Sequence, residues 1–78
     1  MDIFSEIKSF YFGVRRLRVL SRKLSPSENP NYEKLSRAEI NSLYDEFVMV
    51  RSFTCQHLNN IHVYLLENGY VSVEYLER

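Results

Sequence analysis

The chain has 78 residues, of which 45% are hydrophobic and 26% are charged, and its ten basic residues balance its ten acidic ones. This composition indicates one small folded domain and excludes a disordered chain, although so short a chain has little interior to bury. A single cysteine excludes an internal disulfide. Without a signal-like leader or a long apolar run, we expect a cytoplasmic protein that has no membrane span.

Charge is distributed unevenly along the chain. Residues 1–24 carry six basic and two acidic side chains, whereas residues 25–78 carry four basic and eight acidic ones. The net charges of these two segments are therefore +4 and −4. The asymmetry favours placing the first segment beside the rest, within or between chains, with modest attraction that salt screens.

Residues 2–24 are predicted to form the first helix. Their apolar residues recur at alternating spacings of four and three, which is typical of a heptad-like seam that faces a partner helix. The members of this seam are Ile3, Ile7, Phe10, Val14, Leu17 and Leu24. Gly13 costs about 1 kcal/mol relative to alanine inside a helix, so it either permits a close helix contact or marks a bend.

The opposite side of this helix carries an apolar pair surrounded by cations. Phe12 and Val19 are seven residues apart and point away from the seam. Such a pair is a candidate contact surface, but a solvated helix face with two stray hydrophobic residues explains the same pattern. The predicted partner-binding residues, called the basic face below, are Phe12, Arg15, Arg16, Val19, Arg22 and Lys23.

The two prolines predict a loop over residues 25–36. Pro26 and Pro30 have turn-forming neighbours, so the first helix must end near residue 24 and the chain can return antiparallel. Residues 37–67 then form a second, longer helix, because their apolar residues fall within an arc of roughly 80° at 100° per residue. This stripe consists of Ile40, Leu43, Phe47, Val50, Thr54, Leu58, Ile61 and Leu65.

Both ends of the second helix are marked by short sequence signals. Ser36 is a suitable N-cap with Glu39 completing a capping box, and Gly69 can adopt the left-handed conformation that ends a helix. However, Asn68-Gly69 also lies between two β-prone runs and is a strong hairpin signal. The alternative fold is therefore α+β, with two helices and a β-hairpin of residues 61–66 and 70–76.

The unbroken stripe favours the all-α fold, an antiparallel helical hairpin forming one domain. Residues 70–78 would be a short tail, too apolar to stay free and so expected to dock. The second helix also has an apolar flank outside its stripe, which we call the methionine flank and which consists of Met49, Phe53 and Tyr64. We predict that this flank mediates self-association into a symmetric dimer with a four-helix bundle, because so small a core needs a second layer.

No group of residues predicts catalysis, a metal site or a cofactor. Cys55 and His62 share one side of the second helix, whereas His57 points away from them, so the three cannot converge on a metal. The two glycines of the chain cannot form a phosphate-binding loop.

By elimination, we expect a non-enzymatic interaction module, namely a small cytosolic regulator, adaptor or inhibitor that docks on a larger protein. The alternative is a nucleic-acid-binding regulator, in which the cations of the first helix contact phosphates and Phe12 or Tyr11 stacks on a base. The neutral net charge and the lack of a binding fingerprint disfavour this alternative.

Overall fold

The computed structural model describes residues 2–71, which form two long helices joined by a loop. Helix α1 runs Ile3–Lys23, helix α2 runs Arg37–Glu67, and the loop contains a 3-10 turn at Tyr32–Lys34. The helices contact each other along their length as an antiparallel pair. The predicted all-α helical hairpin is therefore confirmed, with helix ends within one residue of the predicted ones.

Both helices begin with side-chain caps that satisfy free backbone groups. The Asp2 carboxylate accepts hydrogen bonds from the Ser5 hydroxyl at 2.9 Å and from the Phe4 amide at 3.0 Å, and these bonds lower the pKa of Asp2. At α2, the Ser36 hydroxyl accepts from the Glu39 amide at 3.1 Å, and the Glu39 carboxylate accepts from the Ser36 amide at 3.4 Å. The predicted capping box is present.

Helix α2 ends at a left-handed glycine, as predicted. Gly69 has φ 71°, its amide donates to the Leu66 carbonyl at 3.2 Å, and the Tyr70 amide donates to the Leu65 carbonyl at 2.9 Å. These two bonds define a Schellman motif. The β-hairpin alternative is wrong, because its first strand, residues 61–66, is helical. The predicted docking of the tail lies outside the described residues from position 72 onward.

The two helices approach most closely at Gly13 and Thr54. Gly13 is buried, and a Cβ atom added there would lie 2.9 Å from the Thr54 Cβ and closer still to the hydroxyl oxygen. Thr54 is buried too, and its hydroxyl donates to the Val50 carbonyl at 2.7 Å. Of the two roles weighed for Gly13, the close helix contact is therefore the one observed.

Leu20 lies on the same line of contact as Gly13 and is the one large hydrophobic side chain within residues 2–71 that is fully buried. Neither residue belongs to the predicted seam. Ile7 and Val14, which do belong to it, are 47% and 38% exposed. The prediction that these two residues face α2 is wrong. Gly13 has no side chain, so Thr54 of α2 can pack closely on the glycine side of α1. The seam is thereby turned to one edge of the helix pair.

Candidate interaction surfaces

Two polar contacts identify the edges at which α1 and α2 meet on one side of the hairpin. The Arg16 guanidinium donates to the Glu46 carboxylate through Nε at 2.9 Å and through Nη2 at 2.6 Å. Two turns or more away along the helices, the Glu6 carboxylate contacts the Nδ1 atom of His57 and accepts from the Asn60 side chain at 3.2 Å. These contacts tie together residues far apart in the sequence and fix the register of the hairpin.

The Glu6 carboxylate is held in its ionised form. The hydrogen bond from His57 is the largest cause that lowers the pKa of Glu6, and the bond from Asn60 is the second. The imidazole of His57 is also packed edge-on against the ring of Phe53, with 4.3 Å between centroids. A polar cluster with little exposure therefore closes the end of the helix pair that is farthest from the loop.

The side marked by these contacts also carries apolar residues from both predicted surfaces. Residues three or four positions apart share one side of a helix, so Phe12 lies on the side of Arg16, while Met49 and Phe53 lie on the side of Glu46. We call this side the polar face. Its members are Phe12, Arg16, Glu46, Met49, Phe53 and His57. Glu6 lies on the contact line with Gly13 and reaches this face through its contact with His57.

The six residues of the basic face differ in their exposure and in whether they contact α2. Phe12 and Val19 are 57% and 43% exposed. Arg16 is engaged by Glu46, whereas Arg15 lies over the Tyr11 ring, 5.8 Å from its centroid. Arg15, Arg22 and Lys23 form no ion pair within residues 2–71. The structure thus leaves an exposed apolar pair with three free cations around it, and uses Arg16 within the chain.

The three residues of the methionine flank also differ from one another. Met49 is 72% exposed. Phe53 already contacts the His57 ring, and Tyr64 stacks on Tyr70 with 6.3 Å between the ring centroids. Two of the three side chains predicted for self-association, Phe53 and Tyr64, therefore already contact aromatic rings of their own chain.

The opposite side of the hairpin is a surface that the sequence pattern does not mark as a binding site. Because the helices are antiparallel, the seam edge of α1 adjoins the edge of α2 that lies away from Glu46 and His57. Exposed and half-buried apolar residues alternate across the two edges. We call this side the apolar face, and its members are Ile7, Phe10, Val14, Leu17, Tyr44, Phe47, Cys55 and Leu58.

A signal for the apolar face was present in the sequence as the heptad-like seam itself. The pattern predicts that the seam forms the contact with α2, whereas Gly13 makes the closest contact and the seam lies beside it. Within the seam, Phe10 and Leu17 are half-buried, and Ile7 and Val14 are exposed.

Two arginines accompany this face, Arg18 at its α1 margin and Arg51 on its α2 edge between Tyr44 and Leu58, and both are exposed. Cys55 is exposed as well. On the same edge of α2, the Nε2 atom of His62 is buried without a hydrogen-bond partner in the part of the chain that the structure describes.

The residues weighed for metal binding are placed apart. His57 is held by Glu6, while Cys55 and His62 lie on the other edge of α2, and residues 2–71 contain no cluster of three potential ligands. Neither of the two described helices is both long and apolar enough to cross a membrane. Compared with protein families, curated proteins and solved structures, the chain gives no match.

Proposed function

We propose that this chain is a non-enzymatic protein–protein interaction module, a small cytosolic regulator, adaptor or inhibitor that docks on a larger protein. The observation that carries the proposal is the apolar surface left exposed. Within residues 2–71, twelve large hydrophobic side chains are exposed while Leu20 alone is fully buried. Apolar surface on this scale is a property of proteins that complete their burial against another macromolecule.

The basic face is the proposed contact with the larger protein. Phe12 and Val19 would be its apolar centre, and the free cations Arg15, Arg22 and Lys23 its rim. An apolar centre with a charged rim is the usual arrangement in protein interfaces. The partner surface that fits it is an apolar cavity or groove bordered by Asp and Glu side chains. Such charges raise the association rate and select the partner more than they add affinity.

Affinity capture from the native cell tests this proposal when it is combined with a matched pair of variants. Phe12→Asp should abolish capture of the partner, because it places a charge in the centre of the contact. Phe4→Asp is the control, because Phe4 is 79% exposed on the same helix and lies two turns outside the basic face. Both variants should keep their helical circular dichroism. Equal capture by both variants would contradict the proposed contact.

Nucleic acid is the second candidate partner. The observation that favours it is the charge of α1, which carries six basic residues and one acidic residue, or +5, and five of the six cations form no ion pair within residues 2–71. Binding through a few phosphate contacts would weaken steeply with salt, with a logarithmic slope of about −0.9 per contact for duplex DNA. Capture that resists nuclease and shows little salt dependence would reject this candidate and favour the protein partner.

We also infer that the chain self-associates as a twofold dimer. Its accessible surface is 6366 Å², whereas a compact monomer of 9.4 kDa is expected to expose about 5,000 Å². A hairpin of two helices is one layer thick, and burying its residual apolar surface requires a second layer. The dimer proposed from the sequence, a four-helix bundle, supplies that layer.

A further inference from the structure

We propose that the second copy docks on the apolar face, the side of the hairpin formed by the seam edge of α1 and the adjoining edge of α2. This inference rests on the self-association proposed above and identifies the surface that mediates it. The surface lies opposite the methionine flank, which the sequence pattern had favoured for the same role.

Continuity of burial is the first argument for this face. Three side chains of this face are half-buried beside the contact between the helices, namely Phe10, Leu17 and Phe47. Exposed apolar residues lie next to them on the outer side. The exposed neighbours include Ile7 and Val14 from α1 and Leu58, which is 49% exposed, from α2. A second layer would therefore extend a core that already exists, and each half-buried side chain would complete its burial.

The area available agrees with a stable dimer. The surface of 6366 Å² exceeds that expected for a compact monomer by about 1,400 Å². A standard interface buries about 800 Å² per partner, and obligate dimers bury more. An excess of this size corresponds to an interface larger than the standard one, of the kind that obligate dimers form.

The polar face is less suited to the same contact. Covering it would take the Arg16–Glu46 ion pair, 46% and 38% exposed, out of water. Desolvating a charged pair costs more than the pair returns unless its remaining hydrogen bonds are satisfied. The apolar face holds no charged pair within residues 2–71: Arg18 lies at its α1 margin and Arg51 on its α2 edge, and neither forms an ion pair there. A single arginine at each place can extend its long side chain back into solvent when the face is covered.

The charges of the helices favour one of two possible twofold arrangements of the copies. Helix α1 has a net charge of +5, whereas α2 carries two basic and four acidic residues, or −2. A twofold axis parallel to the helices places α1 of each copy over α2 of the other, with antiparallel directions. An axis across the helices would instead place α1 over α1 and bring like charges together. The first arrangement gives every basic helix only acidic neighbours, so it is the one we assign.

Cys55 provides a test in the unmodified protein. It is the single cysteine, it is exposed in one chain, and it lies on the apolar face. Its alkylation by iodoacetamide, followed by mass spectrometry, should slow by about tenfold across the concentration range in which sedimentation equilibrium shows the monomer giving way to the dimer, because the dimer covers the thiol. The control is Met49→Cys combined with Cys55→Ser, which moves the thiol to the polar face. Its alkylation rate should not depend on concentration.

Sedimentation equilibrium of two variants provides the second test. Val14→Glu should raise the dimer dissociation constant by at least about 100-fold, because it buries a charge in the contact, whereas Met49→Glu should change it by less than about threefold. An unmodified chain that stays a folded monomer overturns the self-association together with this face. A dimer that Met49→Glu dissociates, and in which Cys55 reacts at a constant rate, overturns the apolar face alone. If Val14→Glu unfolds, the alkylation result still decides between the faces.

Discussion

On the polar face, the Arg16–Glu46 ion pair and the contacts of Glu6 with His57 join side chains that are 30 or more residues apart. On the apolar face, the same two helices present aliphatic and aromatic side chains, and its members within residues 2–71 include no acid. Hydrogen bonds and ion pairs require particular atoms at particular distances, whereas apolar contacts do not. The polar contacts therefore select the register of α1 along α2, the close approach of Gly13 to Thr54 sets its orientation, and the apolar face is left for a partner layer.

This difference assigns separate roles to the two sides of one layer. A hairpin whose register is already fixed by polar contacts can meet a second layer without the helices sliding past each other. A register held by apolar contacts alone would be easier to shift, because many packings of similar area have similar free energy. Variants that disrupt one face and spare the other can test whether the two roles are separable.

The largest effect should come from Gly13→Ala, which breaks the contact line that both faces share. The added Cβ would lie 2.9 Å from the Thr54 Cβ, so the helices must move apart. Overpacking of this kind costs about 1 to 3 kcal/mol, and alanine returns only about 1 kcal/mol through helix propensity. Because the clash involves the Cβ atom of a buried side chain, the cost should lie at the upper end of that range, and chemical denaturation should show a free energy of unfolding lower by about 2 kcal/mol.

A second substitution identifies the cause of that loss. A Thr54→Gly background removes the three atoms nearest to the added methyl group, so Gly13→Ala should cost less there than it does in the unmodified chain. Gly69→Ala is a control of another kind, because its cost of about 1 kcal/mol arises from the left-handed φ and not from packing. An equal cost of Gly13→Ala in both backgrounds would contradict the close contact.

An intermediate effect is expected from Glu6→Gln, which weakens the polar face alone. The hydrogen bond from His57, and secondly that from Asn60, lower the pKa of Glu6 in the folded chain. A carboxylate with a lowered pKa contributes stability that is complete above its ordinary pKa of about 4.3 and is lost as the pH falls through the folded value. Glu6→Gln should therefore destabilise the chain at neutral pH and make progressively less difference in acid.

Thermal unfolding of the unmodified chain and of Glu6→Gln measures this dependence between about pH 3 and about pH 7, a range that includes the titration of carboxyl groups. Glu67→Gln at the exposed end of α2 is the matched control and should shift the unfolding midpoint little at any of these pH values. A destabilisation by Glu6→Gln that is the same at both ends of the range would show that the carboxylate does not act through its ionised form.

The smallest effect should follow from changes to the exposed ion pair of the polar face. Arg16→Glu places two acids together, and the loss should be within about 0.2 to 1 kcal/mol because solvent screens the pair. The double variant Arg16→Glu with Glu46→Arg should recover most of that loss at low salt. Denaturation of the two variants at low and high salt makes this comparison, and failure of the double variant to recover would show that Arg16 acts through packing.

The helices and their ends could be predicted from the sequence because the signals are local. The capping box at Ser36 and the left-handed turn at Gly69 involve residues a few positions apart. The orientation of α1 could not be predicted in this way. It depends on the approach of Gly13 to Thr54, which are distant in the chain, and the periodicity of α1 gives more weight to bulky residues than to a glycine.

The candidate surfaces show the same limit. The cations around Phe12 and Val19 lie within one helix, so the basic face could be identified from spacing alone. The pairing of Arg16 with Glu46 could not, since opposite charges occur at many positions of both helices. The apolar face was concealed because apolar residues at helical spacing are assigned to the core, and only the structure shows that Ile7 and Val14 remain exposed.

The dependence of thermal unfolding on protein concentration tests most directly whether a second copy completes this fold. If folding is coupled to dimer formation, the unfolding midpoint of the unmodified chain rises with concentration, by about 4 °C per tenfold increase for a dimer of this size. We expect that slope for the unmodified chain and for Met49→Glu, and a lower midpoint for Val14→Glu. A midpoint that is constant from about 1 μM to about 100 μM would show that one layer is stable alone and would contradict the account.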